Sequence, residues 1–232
     1  MKRTITPLAS GAFAGWITVA LLVVAAGYSI SSAVAAEPPA EWDGLVRVTN
    51  TKLDHVYVLP EADFSGYQRI RLSPVDVSFD RAWARSGNRS LVRVSAADME
   101  NVRTMLAREF RSVFADELGS GGYTLVDKAG EDVLQVTAAI TNLYITGPLT
   151  NRGASRTFVA NTSRMTLVAQ LRDSVTGELL ARVVDTVQAR RTPGLTLATP
   201  TGNLSEARAA LRGWARILRA GLDDAERRSG TQ

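Results

Sequence analysis

The side chains best suited to acid–base or nucleophilic chemistry are few in this sequence of 232 residues. It contains no cysteine, which excludes disulfides, thiolate nucleophiles and cysteine-ligated metals. Its one histidine, His55, stands directly before a predicted strand, where a lone imidazole is typical of a surface residue and not of a catalytic triad. No metal-binding spacing such as His-x-x-x-His occurs. We therefore expect no catalytic residue, no metal, no cofactor and no enzymatic activity.

Two aspartates still deserve comparison with the acid pair of a hydrolase that uses carboxylates alone. Asp185 shares the alternation of Ala181, Val183 and Val187, so it is predicted to face the buried side of its strand. A buried carboxylate needs a partner, and the structural alternatives to a functional acid are an ion pair with an arginine or a register change at a β-bulge. Asp76 is predicted to lie on the solvent face of an earlier strand. Both are candidate binding residues.

Four arginines recur at intervals of three or four residues near the end of the chain and form one strip on a predicted helix. Such a strip could dock on anionic lipid, lipopolysaccharide or an acidic partner. The alternative is a solvated face balanced by acidic residues of the same helix. The strip consists of Arg208, Arg212, Arg216 and Arg219, and the balancing acids would be Glu206, Asp223, Asp224 and Glu226.

Trp83 is the remaining candidate binding residue, because it stands in a polar stretch, Asp80–Arg89, that is predicted to be a loop. A second predicted loop covers Leu149–Arg156, and exposed loops often carry binding residues. Nucleic acid is not an expected partner. The net charge is only +4, the aromatic content is 6%, and basic and aromatic residues do not interleave.

Hydrophobic patterning predicts the elements that must position these residues. Strands are expected at Asp132–Ile145 and on both sides of a hairpin turn at Asp173–Gly177. A capping-box pattern at Ser95 begins a first amphipathic helix, which the glycine-rich residues 119–122 end. A second helix is expected from Ser205 to about Arg227. Together these elements predict an α+β fold, with a mainly antiparallel sheet and two amphipathic helices packed on it.

Residues 1–36 have the order of parts of a bacterial export signal. Lys2 and Arg3 precede an apolar stretch over residues 11–30, and small residues follow at 31–36. This order predicts a signal peptide that is cleaved near its end. The alternative is an uncleaved N-terminal anchor, because residues 11–30 are nearly long enough to span a bilayer. In both cases the positive end stays in the cytoplasm and the rest of the chain leaves it.

Behind this leader, residues 37–52 are predicted to form an extended linker and residues 53–228 a single α+β domain. Hydrophobic residues make up 45% of the chain and charged residues 22%, a balance typical of a folded domain. The predicted location is the periplasm, soluble after cleavage. If the leader is kept, residues 11–30 would tether the domain to the inner membrane, and membrane contact would be limited to that segment.

Several stretches carry a family resemblance: Val56–Tyr67, Ser73–Phe79, Trp83, Gly121-Gly122-Tyr123, Ile140-Thr141 and Thr176-Gly177-Glu178. From about Leu53 to Leu222 the chain resembles domain-of-unknown-function family thirty-three thirteen, an uncharacterised bacterial envelope family. The resemblance implies a periplasmic or outer-membrane-associated protein, usually a lipoprotein, with no established activity or catalytic residues. This chain has no lipobox cysteine, so soluble or inner-membrane-tethered placement is expected instead.

Three functions are compatible with these observations. The leading hypothesis is a non-enzymatic module that binds another envelope protein or component through a sheet edge or the two predicted loops. A hydrolase of envelope glycans would instead require two carboxylates that face one cleft. A carrier of lipid or lipopolysaccharide would require an apolar cavity between a helix and the sheet.

Overall fold

The computed structural model describes residues 38–49, 51–86, 95–145, 158–159, 163–188, 196–197 and 200–229. All of them belong to one unit, Pro38–Gln232. The predicted leader, residues 1–36, and the predicted loop Leu149–Arg156 lie outside the described residues. In the described part of the chain, strands and helices combine into the α+β fold that the sequence predicts.

Eleven strands and three helices occur in these described ranges. The helices are α1 (Arg81–Ser86), α2 (Ala96–Ser120) and α3 (Pro200–Ser229). The strands are β1 (Glu41–Trp42), β2 (Leu45–Val48), β3 (His55–Val58), β4 (Arg69–Leu72), β5 (Asp76–Phe79), β6 (Thr124–Leu125), β7 (Val133–Tyr144), β8 (Phe158–Val159), β9 (Arg164–Asp173), β10 (Leu179–Gln188) and β11 (Thr196–Leu197).

The main sheet is mixed and runs in the order β1-β2-β3-β10-β9-β7-β4-β6, with β5 also paired to β7. Every pairing from β1 to β7 is antiparallel, but β4 and β5 run parallel to β7, and β6 runs parallel to β4. The expectation of a mainly antiparallel sheet therefore describes one side of β7 only. The reason is that α2 lies between β5 and β7, and a helical crossover brings the chain back in the same direction.

Helix α2 begins as its sequence predicts. The backbone N–H of Asp98 donates to Ser95 Oγ at 3.1 Å, and the N–H of Ser95 donates to Asp98 Oδ2 at 3.1 Å, which completes the capping box. The helix ends before Gly121 and Gly122, and Gly122 has a φ of 92°, a left-handed conformation that favours glycine. Its buried face holds Val102, Leu106, Phe110, Val113, Phe114 and Leu118.

Helix α3 begins earlier than Ser205, at Pro200. Proline is well accommodated in the first helical turn, because its missing N–H has no partner there in any case. The buried stripe of α3 contains Leu211, Trp214, Ala215 and Leu222. Helices α2 and α3 share one hydrophobic core with the sheet. No helix in the described ranges has both the length and the apolar character needed to cross a membrane.

The predicted linker over residues 37–52 is wrong for Glu41–Val48, which form β1 and β2 of the sheet. Asp43 and Gly44 connect the two strands with φ values of 56° and 79°. Positive φ at both central residues is typical of a type I′ hairpin turn, for which Asp-Gly is a preferred sequence. That dipeptide was the signal for a hairpin in this segment.

The predicted loop Asp80–Arg89 is likewise wrong for Arg81–Ser86, which form α1. Asp80 caps this helix, because its Oδ1 accepts the backbone N–H of Trp83 at 2.8 Å. A short helix of this kind has too few turns to display a helical period in the sequence.

Candidate functional site

An apolar cavity of about 270 Å³ lies between the two long helices and the sheet. Its roof consists of α2 and α3, and its floor consists of β7, β9, β10 and β3. Among the described lining residues, the polar groups are the hydroxyl of Thr51 and the indole N–H of Trp214. The roof residues are Phe110, Phe114, Trp214, Ile217, Leu218, Gly221 and Leu222, and Leu53 and Phe64 close the side.

Two rows of cross-strand neighbours make up most of the floor. The first row is Ala138, Ala169, Val183 and Val56, and the second is Val136, Leu171, Ala181 and Val58. Directly paired residues point to the same face of a sheet, so each row crosses the floor from β7 to β3. Three of the eight residues are alanines. Small side chains under the rings of the roof leave the space that forms the cavity.

The cavity opens on the β3 side of the sheet. Its lining residues on β7 and α2 are buried, whereas Leu53, Phe64 and Leu218 are half-buried and Thr51 and Gly221 are exposed. The mouth therefore lies between the segments that flank β3 and the C-terminal half of α3. An apolar group can reach the interior from solvent by this route.

Asp185 lies at the edge of this cavity and is 7% exposed on the helix-facing side of β10, as predicted. Its Oδ2 accepts the indole N–H of Trp214 at 2.6 Å, and its Oδ1 accepts the backbone N–H of Asp54 at 3.0 Å. Asp54 in turn accepts the backbone N–H of Thr186 at 2.9 Å. Among the described residues, Asp185 has no arginine partner, and its strand has no β-bulge at this position. Neither structural alternative offered by the sequence therefore explains its burial. The Asp185 carboxylate therefore links Trp214 in the cavity roof to Asp54, which is next to Leu53 at the cavity mouth.

Asp76 lies on the opposite face of the sheet. It pairs with Ala139, is exposed, and neighbours Val77, whose side chain enters the core. Asp76 and Asp185 are therefore separated by the sheet, and they do not face one cleft. His55 is half-buried at the first position of β3. In the described ranges no group of three His, Asp or Glu residues could hold a metal ion.

The arginine strip of α3 faces acidic residues of α2. Arg208 donates two hydrogen bonds to Glu109, at 2.6 and 2.8 Å, and these bonds lower the pKa of Glu109 below its usual value. Arg216 and Arg219 both pair with Glu117, at 3.4 and 2.8 Å. The predicted balance by acids of the same helix holds only for Arg219 and Asp223, at 3.9 Å.

Arg212 is the exception in the strip, since it is exposed and makes no ion pair with the described residues. The other three arginines join α3 to α2, so the strip is mainly a contact between helices. It does not present four unpaired cations to a partner.

Trp83 is a core residue and is 9% exposed. Its ring stacks on Phe79 with centroids 5.0 Å apart, and its indole N–H donates to the carbonyl oxygen of Ile145 at 2.9 Å. It holds α1 against the ends of β5 and β7, and it has no surface to offer a ligand. None of the sequence-predicted residues lines the cavity, and only Asp185 contacts a residue that does.

The fold defines an α+β protein in which two helices cover one face of a mixed sheet and enclose an apolar cavity. The model of a family described as protein of unknown function, DUF3313, matches residues 34–218, so the chain belongs to that family. This confirms the resemblance seen in the sequence. Among curated proteins, none matches the chain.

Solved structures show distant similarity. A PelC dodecamer from Paraburkholderia phytofirmans is 11% identical, covers 70% of this chain and 95% of its own, and has a TM-score of 0.37. A minor lipoprotein from Acinetobacter baumannii is 11% identical, with 70% and 95% coverage and a TM-score of 0.36. A protein from Xanthomonas campestris is 12% identical, with 72% and 90% coverage and a TM-score of 0.39.

Proposed function

We propose that this protein is an exported, non-enzymatic component of the bacterial cell envelope that binds one hydrocarbon chain of a lipid or lipopolysaccharide. The apolar cavity between the helices and the sheet is the observation that carries this proposal. A lipid carrier requires such a cavity. The other two hypotheses, a hydrolase and a module that binds through loops or a sheet edge, do not.

The size and lining of the cavity support an acyl chain as the occupant. Its volume of about 270 Å³ lies near the lower end of the range for small-molecule sites, roughly 300–1,000 Å³. That volume suits a single chain and is too small for a whole lipid. Water is a poor occupant, because a buried water needs two to four polar partners and the lining offers almost none.

The compartment and the absence of catalysis are supported by separate observations. The order of charged, apolar and small residues over residues 1–36 favours export to the envelope, where acyl chains are abundant. Asp76 and Asp185 lie on opposite faces of the sheet, which argues against their use as a catalytic pair. Among the described residues that line the cavity, none has a charged side chain.

Titration of the purified protein with dodecanoate by isothermal calorimetry tests the proposal. We expect one chain to bind per protein molecule, with a negative heat-capacity change from burial of apolar surface. Gly221→Leu should weaken binding at least tenfold, because Gly221 lines the cavity and an added Cβ meets no atom within 4 Å. The new side chain then occupies space that the ligand needs.

Gly213→Leu is the matched control. Gly213 also lies in α3 with no atom within 4 Å of an added Cβ, but it does not line the cavity. Both substitutions remove a glycine from a helix interior, where it costs about 1 kcal/mol relative to alanine, so they should stabilise α3 alike. Absence of dodecanoate binding, or equal binding by both variants, would contradict the proposal.

A further inference from the structure

The floor of the cavity continues beyond its mouth onto β2. Val48 pairs directly with Val56, and Val46 pairs directly with Val58, so each valine extends one of the two floor rows by one strand. Paired residues in an antiparallel sheet share a face. Val46 and Val48 therefore lie on the same face as the cavity.

These two valines are exposed although they continue an apolar surface. Val46 is 43% exposed and Val48 is 41% exposed. On the other face of the same strand, Leu45 is fully buried, and its partner Trp42 packs edge-on against Tyr57. The two exposed valines, which we call the β2 shelf, are thus the uncovered end of the helix-facing side.

We infer that the β2 shelf is the outer part of the ligand site, over which a hydrocarbon chain longer than the cavity continues. This inference rests on the proposed function, and it says which part of the hydrocarbon ligand the β2 shelf contacts. Val56 and Val58 line the cavity floor and also pair with the two valines of the shelf, so the apolar surface continues from floor to shelf without a polar residue between them. The shelf adds one strand spacing, about 5 Å, which corresponds to a few methylene groups.

The test compares chain lengths in calorimetric titrations with decanoate, dodecanoate, tetradecanoate and hexadecanoate, each kept below its micelle-forming concentration. For the natural protein, affinity should rise roughly twofold to fourfold with each methylene along the series, as apolar surface is buried. Val46→Ser with Val48→Ser should bind decanoate as the natural protein does, and should bind hexadecanoate about tenfold more weakly. In this double variant, the gain in affinity per methylene should fall only for the longer chains.

Val175→Ser is the matched control, because Val175 is 61% exposed in the turn between β9 and β10 and does not line the cavity. It should leave the whole series unchanged. Each of the three valines is between 41% and 61% exposed, so the variants should fold, and equal melting temperatures check this.

Three outcomes overturn the inference. Equal affinities of the natural protein and the double variant at every length would do so while the proposed function stands. An equal loss for short and long chains would place the effect in the cavity and not on the shelf. If equal affinities at every length came with a changed oligomeric state, the shelf would be assigned to a second copy of the protein. If the natural protein bound none of the chains, the proposed function would fail together with the inference.

Discussion

Among single residues, Asp185 carries the largest share of polar contacts at the candidate site. One of its oxygens accepts from the indole of Trp214 and the other from the backbone of Asp54. Asp185→Asn keeps the shape of the side chain but turns one acceptor into an NH₂ donor, which then faces another donor. We expect a loss of about 1–3 kcal/mol in the free energy of unfolding, because a buried donor is left without a partner. Urea denaturation measures this loss.

Asp76→Asn provides the comparison for Asp185. Asp76 is exposed on the other face of the sheet, so the same chemical change should alter the free energy of unfolding by no more than about 0.5 kcal/mol. Similar losses for the two variants would show that the hydrogen bonds of Asp185 do not stabilise the fold.

Between secondary-structure elements, the contact of α2 with α3 combines apolar packing with ion pairs. Arg208 holds the pKa of Glu109 below its value in the unfolded chain, where a glutamate has a pKa near 4.5. Such a pair stabilises the protein above that pKa, and the contribution is lost as the pH falls through the lower, folded-state pKa. We therefore expect Glu109→Gln to destabilise the protein near neutral pH, and the difference from the natural protein to shrink below about pH 4. Urea denaturation over a pH series gives both values.

Glu206→Gln controls for the loss of a negative charge from the helix pair. Glu206 is exposed on α3 and makes no ion pair with the described residues, so its replacement should change the free energy of unfolding near neutral pH by no more than about 0.5 kcal/mol. A gap between the natural protein and Glu109→Gln that stayed constant with pH would contradict a role for the Arg208 pair.

For the whole molecule, the decisive prediction concerns its compartment. A tagged chain expressed in a Gram-negative bacterium should appear in the periplasmic fraction, with an N-terminus near Glu37, because the small residues at 31–36 suit signal peptidase. Recovery of the uncleaved chain in the membrane fraction would favour the anchor formed by residues 11–30. An intact chain in the cytosol would contradict export, and would remove envelope lipid as the source of the ligand.

The sequence predicted those parts of the fold that depend on neighbours along the chain. The capping box at Ser95 and the turn of Asp173–Gly177 both form where local pattern placed them. Alternation located the long strands, and it also put Asp185 on the buried face. The Asp43-Gly44 dipeptide also indicates a hairpin turn, but the strands on either side of it are too short to show alternation by themselves.

Only the tertiary structure decided where the candidate site is. In the sequence, Ala138 and Ala169 have the pattern of ordinary core positions in two separate strands. Nothing in the sequence indicates that they are cross-strand neighbours. The parallel pairing of β4 and β5 with β7 is hidden for the same reason, because local pattern fixes a strand and not its neighbour. A cavity is the space left between residues that are distant in sequence, so its volume depends on how sheet and helices meet. The sequence by itself determined the long strands and helices, their buried faces and the family, while packing alone determined that the core contains an apolar cavity.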